Sequence, residues 1–416
     1  MIAWVALGLV VARWAASLWL SRLNARHVSA HAGSIPPAFV DVVDEPTYAR
    51  SVEYTLARLR FGQVSATFGL VVLLAALFSG VLPAVQEWFV DAFGSGVWSM
   101  AGFLFTVGAA LSLVTLPLGW YSQFRLEERF GFNTTTPATW WTDLVKRLLV
   151  SLVVLLPLLA LVLAIIGWAG RWWWVWAWVA MTVFELVVTV LAPILILPLF
   201  NRLTPLPEGS LSERLTSLAV RARFPARSIQ VMDGSRRSRH SNAFFTGFGR
   251  RRRIVLFDTV IEQAEDSQIE AVLAHEVGHS KRRHVVKMLF VSSAGSLFGL
   301  WVVARVAARR EFVEAFGFEP STGFTAVAVA PVLLLFGLLA GALTFWVDPA
   351  ANWLSRRYEY QADAYALAVI GDPAPMVGAL RKLSEKNLSN LTPHPIYSRW
   401  YYSHPTLLER ETALGR

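Results

Sequence analysis

The chain has 416 residues, 55% of them hydrophobic and only 16% charged, with a mean hydropathy of +0.47. Soluble chains carry about a quarter charged residues, so the composition excludes an ordinary soluble protein and defines a membrane chain. The absence of cysteine excludes disulfides, thiolate metal sites and cysteine nucleophiles, and the net charge of +9, mostly arginine, suits contact with anionic lipid.

Ile2–Leu20 is the first apolar span, interrupted by Arg13 and followed by Arg22 and Arg26. A secretory signal has its basic residues in front, so this segment reads as a retained helix with its N-terminus outside. Further spans are expected over Val64–Leu82, Val97–Trp120, Leu148–Trp168, Trp172–Leu199, Val285–Val306 and Phe324–Val347. Each is long enough to cross about 30 Å of hydrocarbon at about 1.5 Å per residue.

Seven spans put segments 21–63, 121–147, 200–284 and 348–416 on one side. These hold 32 of the 38 lysines and arginines, which makes that side cytoplasmic. Trp168, Trp172, Trp173, Trp174, Trp176 and Trp178 crowd the turn between spans four and five, where an interfacial belt is expected. Glu185 falls within span five. It is expected to face a bundle interior or a watery cavity, or to be a carboxyl kept neutral or paired with a neighbouring helix. Pro193 and Pro198 predict that this helix ends kinked or broken.

Residues 200–284 form the main soluble insertion. A helix is expected near Leu211–Arg221, then strands at Ile229–Met232, Ala243–Phe248 and Ile254–Phe257, the last two as a hairpin. An exposed strand edge beside a catalytic helix can add a substrate peptide through backbone hydrogen bonds. Asn242 stands where its amide could clamp that backbone, or it is an ordinary turn residue. Arg250–Arg253 reads as a solvated basic loop near lipid. No nucleic-acid-binding pattern accompanies it, and no nucleic-acid partner is expected.

His275-Glu276-Val277-Gly278-His279 is an H-E-x-x-H motif. Residues four apart share a helix face, so both histidines can point at one metal ion, with Glu276 close to a metal-bound water. A helix carrying surface histidines is the competing reading. A capping box at Ser267-x-x-Glu270 and an apolar stripe of Ile269, Val272, Leu273 and Val277 are expected to set this helix. Catalytic zinc takes three protein ligands and keeps one open position, so a third ligand is required.

After span seven, Glu359 and Asp363 share a face of a helix bounded by Asp348-Pro349 and Gly371-Asp372-Pro373. They could supply a ligand and an acceptor for a ligating histidine's other ring nitrogen, or form a surface pair.

The order H-E-x-x-H, span-length hairpin, E-x-x-x-D resembles the integral-membrane zinc metalloendopeptidases of the type I CaaX prenyl protease family, here expected as a bacterial relative. Three further blocks carry the resemblance. Glu127 to Asn133 reads EERFGFN. Asp233 to Phe244 reads DGSRRSRHSNAF. Tyr402 to Arg410 reads YSHPTLLER. The blocks run over most of the chain.

The resemblance implies an α-helical integral membrane protein. Seven transmembrane helices would surround an internal chamber, with a cytoplasmic zinc metalloprotease domain carrying a small β-sheet. The expected division is 1–199 (spans one to five), 200–284 (first protease segment), 285–347 (spans six and seven) and 348–416 (second protease segment). His275, His279 and Glu359 would bind one Zn2+, Glu276 would be the general base and then acid, and Asp363 would orient a ligand. His404 and Arg410 would act near the substrate, and Asn242, Ala243 and Phe244 would hold its backbone. Expected partners are a peptide or prenylated protein and membrane lipids. The membrane would be the inner membrane of a bacterium or the endoplasmic reticulum of a eukaryote.

A quality-control membrane protease of the same zinc chemistry has fewer spans and lacks the FGFN and C-terminal blocks. A receptor or transporter has no need of Glu276. A metzincin would require glycine at 282 and histidine at 285, where this chain has Arg282 and Val285. His284 has no role assigned by sequence.

Overall fold

A computed structural model describes residues 1–224, 226–246, 252–321 and 323–415. Among these, six helical runs are long and apolar enough to cross a membrane: Ile2–Ala30, Glu45–Phe78, Val97–Val114, Pro137–Phe200, His284–Ala307 and Ala326–Thr344. The fourth is a run of 64 residues that contains both the fourth and fifth expected spans. Helix Pro137–Ala169 stops at Gly170, whose φ of +52° is open to glycine and costly for other residues, and helix Trp173–Leu191 follows a short 3-10 turn. Beyond Leu191 the backbone turns π-helical over Ala192–Ile196 at Pro193, the break expected there.

Several helices outrun their apolar windows. The second begins at Glu45, where Asp44 accepts a hydrogen bond from the Thr47 backbone N–H at 2.9 Å and Pro46 occupies the first turn. One large apolar core gathers Leu77, Met100, Phe103, Ile166, Trp173 and Leu335 at one end of the bundle. Trp173, expected in an interfacial belt, is fully buried in this core, whereas Trp168 and Trp172 are exposed. Glu185 finds a partner on a neighbouring helix: Ser292 Oγ donates to it at 3.3 Å.

The soluble insertion builds a four-stranded mixed sheet in the order β1-β2-β4-β3, with β1 Leu203–Pro205, β2 Ala226–Met232, β3 Ala243–Thr246 and β4 Arg252–Phe257. β2 and β4 run parallel, and β3 pairs antiparallel to β4 with Ala243 opposite Leu256. The expected hairpin turn Gly247–Arg250, and Arg251 with it, lie outside the described residues. β1 is a three-residue strand containing proline, and it carries no alternation that could announce it. β3 is an edge strand, so one row of its backbone groups is open to a further strand.

A second core joins this sheet to the helices beneath it. Leu215 and Leu218 from helix Ser210–Arg221 meet Ile254 and Leu256 of β4, and Ile269, Leu273 and Val277 of the helix Asp266–Lys281. That last helix is the motif helix. It packs against Asp348–Ile370, here the carboxylate helix, through Ala366. The motif helix does not start on the expected box. Glu265 is its N-cap and pairs reciprocally with Gln268, while Ser267 lies within the first turn. Glu270 has a different task, accepting from Arg214 at 2.9 Å and from Arg221.

Candidate metal centre

The motif helix presents His275 and His279 one turn apart, and the carboxylate helix brings Glu359 opposite them. One ligand atom from each of the three lies within 4.8 Å of the others. The two Nε2 atoms are 3.0 Å apart, and the Glu359 oxygens stand 3.3 Å from each.

The outer ring nitrogens decide what these atoms can do. His275 Nδ1 is 2.7 Å from Asp363 Oδ1, so its N–H points there and its Nε2 presents a lone pair. Arg410 grips Asp363 from behind, its Nε donating at 2.8 Å to Oδ2 and its Nη2 to Oδ1. On the other side, His279 Nδ1 is 3.1 Å from His284 Nδ1, and His284 Nε2 is 3.0 Å from Gln361 Oε1. The tautomer set that satisfies this chain has Gln361 accepting from His284 and His284 accepting from His279. His279 Nε2 is then a lone pair too.

Three acceptors therefore converge with no donor between them, and Glu359 Oε2 is buried without a hydrogen-bond partner. Such a cluster is costly unless a cation fills its centre, so the residues present fit a metal ion. A proton competes with a cation for this centre. Burial works against a charged His275, yet Asp363 and Glu359 raise it to about 9. Burial likewise pushes Glu359 and Asp363 up, but the charge that His275 gains, with His279 beside Glu359 and Arg410 beside Asp363, holds both carboxyls below their ordinary range. A metal ion binds the lone-pair form and displaces that proton.

The two helices come this close because of one residue. A Cβ on Gly278 would stand 3.0 Å from both the Cα and the carbonyl oxygen of Ala362, backbone atoms that cannot rotate away. The glycine is thus a contact requirement. His284, left unassigned by sequence, is buried and stacked on Tyr358 at 4.3 Å, which fixes its ring beside His279.

The remaining expected site residues divide. Glu276 is partly buried beside the cluster, and burial raises its carboxyl pKa above the usual range. His404 is exposed, with Nε2 3.5 Å from Glu359 Oε1 and Nδ1 2.9 Å from Ser403 Oγ. Arg410, expected beside the substrate, is 8% exposed and lies behind the ligands. A Thr406–Glu409 capping box starts the short helix that carries it. Asn242 precedes the edge strand, and its side-chain oxygen accepts from the Ala243 N–H at 2.8 Å. Ala243 is buried, and Phe244 packs edge-on to Phe257.

The blocks singled out by sequence also meet. Phe132 stacks on His240 at 4.1 Å, Arg239 N–H donates to the Phe132 carbonyl at 3.1 Å, and Tyr54 donates to Glu127 at 2.9 Å. These contacts tie the loop leading into β3 to the helical region.

Fold and site together define a multi-pass membrane metallopeptidase. Residues 24–202 match the CAAX prenyl protease N-terminal region with its five membrane helices, and residues 205–416 match Peptidase family M48. Similar proteins include CAAX prenyl protease 1 of Saccharomyces cerevisiae, 35% identical over 91% of this chain and 88% of that protein. The CAAX prenyl protease 1 homolog of Homo sapiens is 32% identical over 96% of this chain and 93% of its own length. The crystal structure of S. mikatae Ste24p superposes with a TM-score of 0.93 at 33% identity, covering 100% of this chain and 99% of that one. The chain belongs to Peptidase family M48 and carries the CAAX prenyl protease N-terminal region.

Proposed function

We propose that the protein is a zinc-dependent endopeptidase that cleaves near the C-terminus of prenylated CaaX-type proteins, or of other membrane-associated chains. Similar proteins bear the name CAAX prenyl protease 1, which supports that substrate class. The observation that carries the reading is the cluster itself: three lone pairs within 4.8 Å, oriented from behind by Asp363–Arg410 and by His284–Gln361.

His275, His279 and Glu359 hold the ion. When bound, zinc supplies a water of pKa near 7 and polarises the scissile carbonyl. Glu276 takes a proton from the attacking water and returns it to the leaving amine, a transfer its raised pKa suits. His404 is the exposed group beside the cluster and faces the developing oxyanion. Arg410 holds Asp363, which holds His275. A peptide strand adds to the open edge of β3 beside Asn242, Ala243 and Phe244.

Counting the two helices of Pro137–Phe200 separately gives seven spans around a chamber. The protease segments 200–284 and 348–416 face the cytoplasm, as their basic residues favour. Spans 1–199 and 285–347 complete the division, and lipid surrounds them. The membrane is the endoplasmic reticulum in a eukaryote and the inner membrane in a bacterium.

The test is cleavage of one peptide in farnesylated and unprenylated forms by the purified protein, with metal content measured alongside. Efficient cleavage of the farnesylated form and one zinc per chain are expected. Equal turnover of both forms would remove the prenyl specificity, and loss of activity without loss of metal in a His275→Ala protein would sink the ligand assignment.

A further inference from the structure

Arg58, on the second long helix, has no carboxylate partner among the described residues. Its guanidinium carbon lies 5.4 Å from the Tyr54 ring centroid, and the side chain is exposed to three adjoining cavities. The largest, about 700 Å³, is also bordered by His404 and His240. His404 is an exposed neighbour of the ligand Glu359, so the cavity that borders Arg58 reaches a side chain beside the metal cluster.

Nearby carboxylates are already compensated. Glu127 accepts from Tyr54 at 2.9 Å and lies 3.4 Å from His240 Nε2, and Asp143 is held by both arms of Arg237 at 2.8 and 3.0 Å. Arg58 interacts with Tyr54 and favours the ionised form of Glu127 through its charge, but no carboxylate closes on it as an ion pair among the described residues, so its guanidinium can take a substrate carboxylate beside the tyrosine rings of the cavity.

Strand direction points the same way. A peptide added antiparallel to β3 runs its C-terminal end past Asn242 toward His240, and His240 borders the cavity that holds Arg58. Three extended residues span about 10 Å, a length that suits a short leaving peptide lying in that cavity.

We propose that Arg58 receives the terminal carboxylate of the substrate. The protein would then measure the distance from the scissile bond to the chain end. This rests on the proteolytic reading above, and Arg58 acts as a specificity residue for it.

The test uses the zinc-loaded full-length protein and one farnesylated peptide in two forms, free acid and C-terminal amide. The wild type should favour the acid roughly ten- to a hundredfold in kcat/KM, since hydrogen bonds to charged groups contribute on the order of 1.5–3 kcal/mol. Arg58→Gln should bring the acid-to-amide ratio close to one, mainly through KM, and Arg58→Lys should restore part of it. Arg147→Gln, which alters a cation bordering only the smaller polar cavity, should leave the ratio alone. An unchanged ratio in Arg58→Gln, or no preference in the wild type, would overturn the proposal. Calorimetric binding of an aliphatic tripeptide acid and its amide separates this from the cleavage reading. If neither farnesylated peptide is cut but the tripeptide acid still binds more tightly in an Arg58-dependent way, the substrate class fails and the carboxylate site stands. If tripeptide binding ignores the carboxylate, the site fails whatever is cleaved.

Discussion

In the apolar core of the bundle, Phe103, Ile166, Trp173 and Leu335 are buried together, and the polar neighbours Gln86 and Ser99 donate to backbone carbonyls at 3.0 and 3.1 Å, with Gln86 also reaching Met100 Sδ at 3.9 Å. At the metal centre, His275, Glu359, Asp363 and Arg410 are nearly as deeply buried, but every one of them is ionisable. The first region is specified by volume, and neighbouring side chains can adjust to small changes. The second is specified by direction, because each donor has one acceptor and each lost partner leaves a buried charge. Perturbations should therefore be expressed as lost stability in one region and lost chemistry in the other.

The largest expected effect comes from Glu276, which among the described residues is the acidic side chain beside the cluster that is neither a ligand nor ion-paired. Glu276→Gln should keep metal content unchanged while kcat falls about 10³-fold or more. Wild-type turnover in this protein would end the base assignment. The same residue sets the pH dependence. Burial raises its carboxyl pKa above the ordinary carboxylate value, and the base works only when ionised. Activity should therefore fall as pH drops through that raised pKa, with an acid limb above the usual carboxylate range. A limb at the ordinary value would contradict the burial argument.

Next come the groups behind the ligands. Asp363→Asn changes what His275 Nδ1 can donate to, and His284→Ala removes the acceptor for His279. Each should weaken metal binding about 10- to 100-fold, measured by competition with a chelator. His284→Gln, which restores an acceptor, should recover part of the loss. If His284→Ala binds metal like the wild type, the ring stacks on Tyr358 for packing alone.

These groups also show where sequence reading stops. H-E-x-x-H and E-x-x-x-D were legible because each is a one-turn repeat on one helix, and the long apolar runs were legible because lipid sets their length. His284 was not, because its meaning depends on Gln361, which lies 77 positions away and meets it only in the folded chain. The capping residue was misplaced by two positions: Glu265-x-x-Gln268 and Ser267-x-x-Glu270 overlap, and only the tertiary pairing of Glu270 with Arg214 and Arg221 separates them. The short strand β1 and the stacking of Phe132 on His240 are likewise products of tertiary contact.

Gly278 lies at the boundary between the two kinds of specification, since it acts by volume at a directional site. Gly278→Ala must move the motif helix away from Ala362 by a few tenths of an ångström. The expected result is a stability loss of about 1–3 kcal/mol and a weaker metal site, because His275 and His279 ride on the displaced helix while Glu359 and Asp363 stay on the other. Unchanged chelator competition in a folded Gly278→Ala protein would show that the metal cluster absorbs the shift.

The smallest effect on chemistry is expected from the far end. Leu335 is fully buried on a span helix, and Leu335→Ala leaves a cavity there. In water such a change costs about 2–5 kcal/mol, part of it the lost transfer from water. Lipid tails are as apolar as leucine, so the transfer part largely vanishes and the cavity part remains, which places the loss near the lower end, about 2 kcal/mol. Thermal unfolding in detergent should shift down accordingly. Turnover per folded molecule and metal affinity should match the wild type, because among the described residues no hydrogen bond of the metal centre passes through this core. A Leu335→Ala protein with normal stability but impaired turnover would mean that the helices transmit packing changes to the site, and the separation of the two regions would then be wrong.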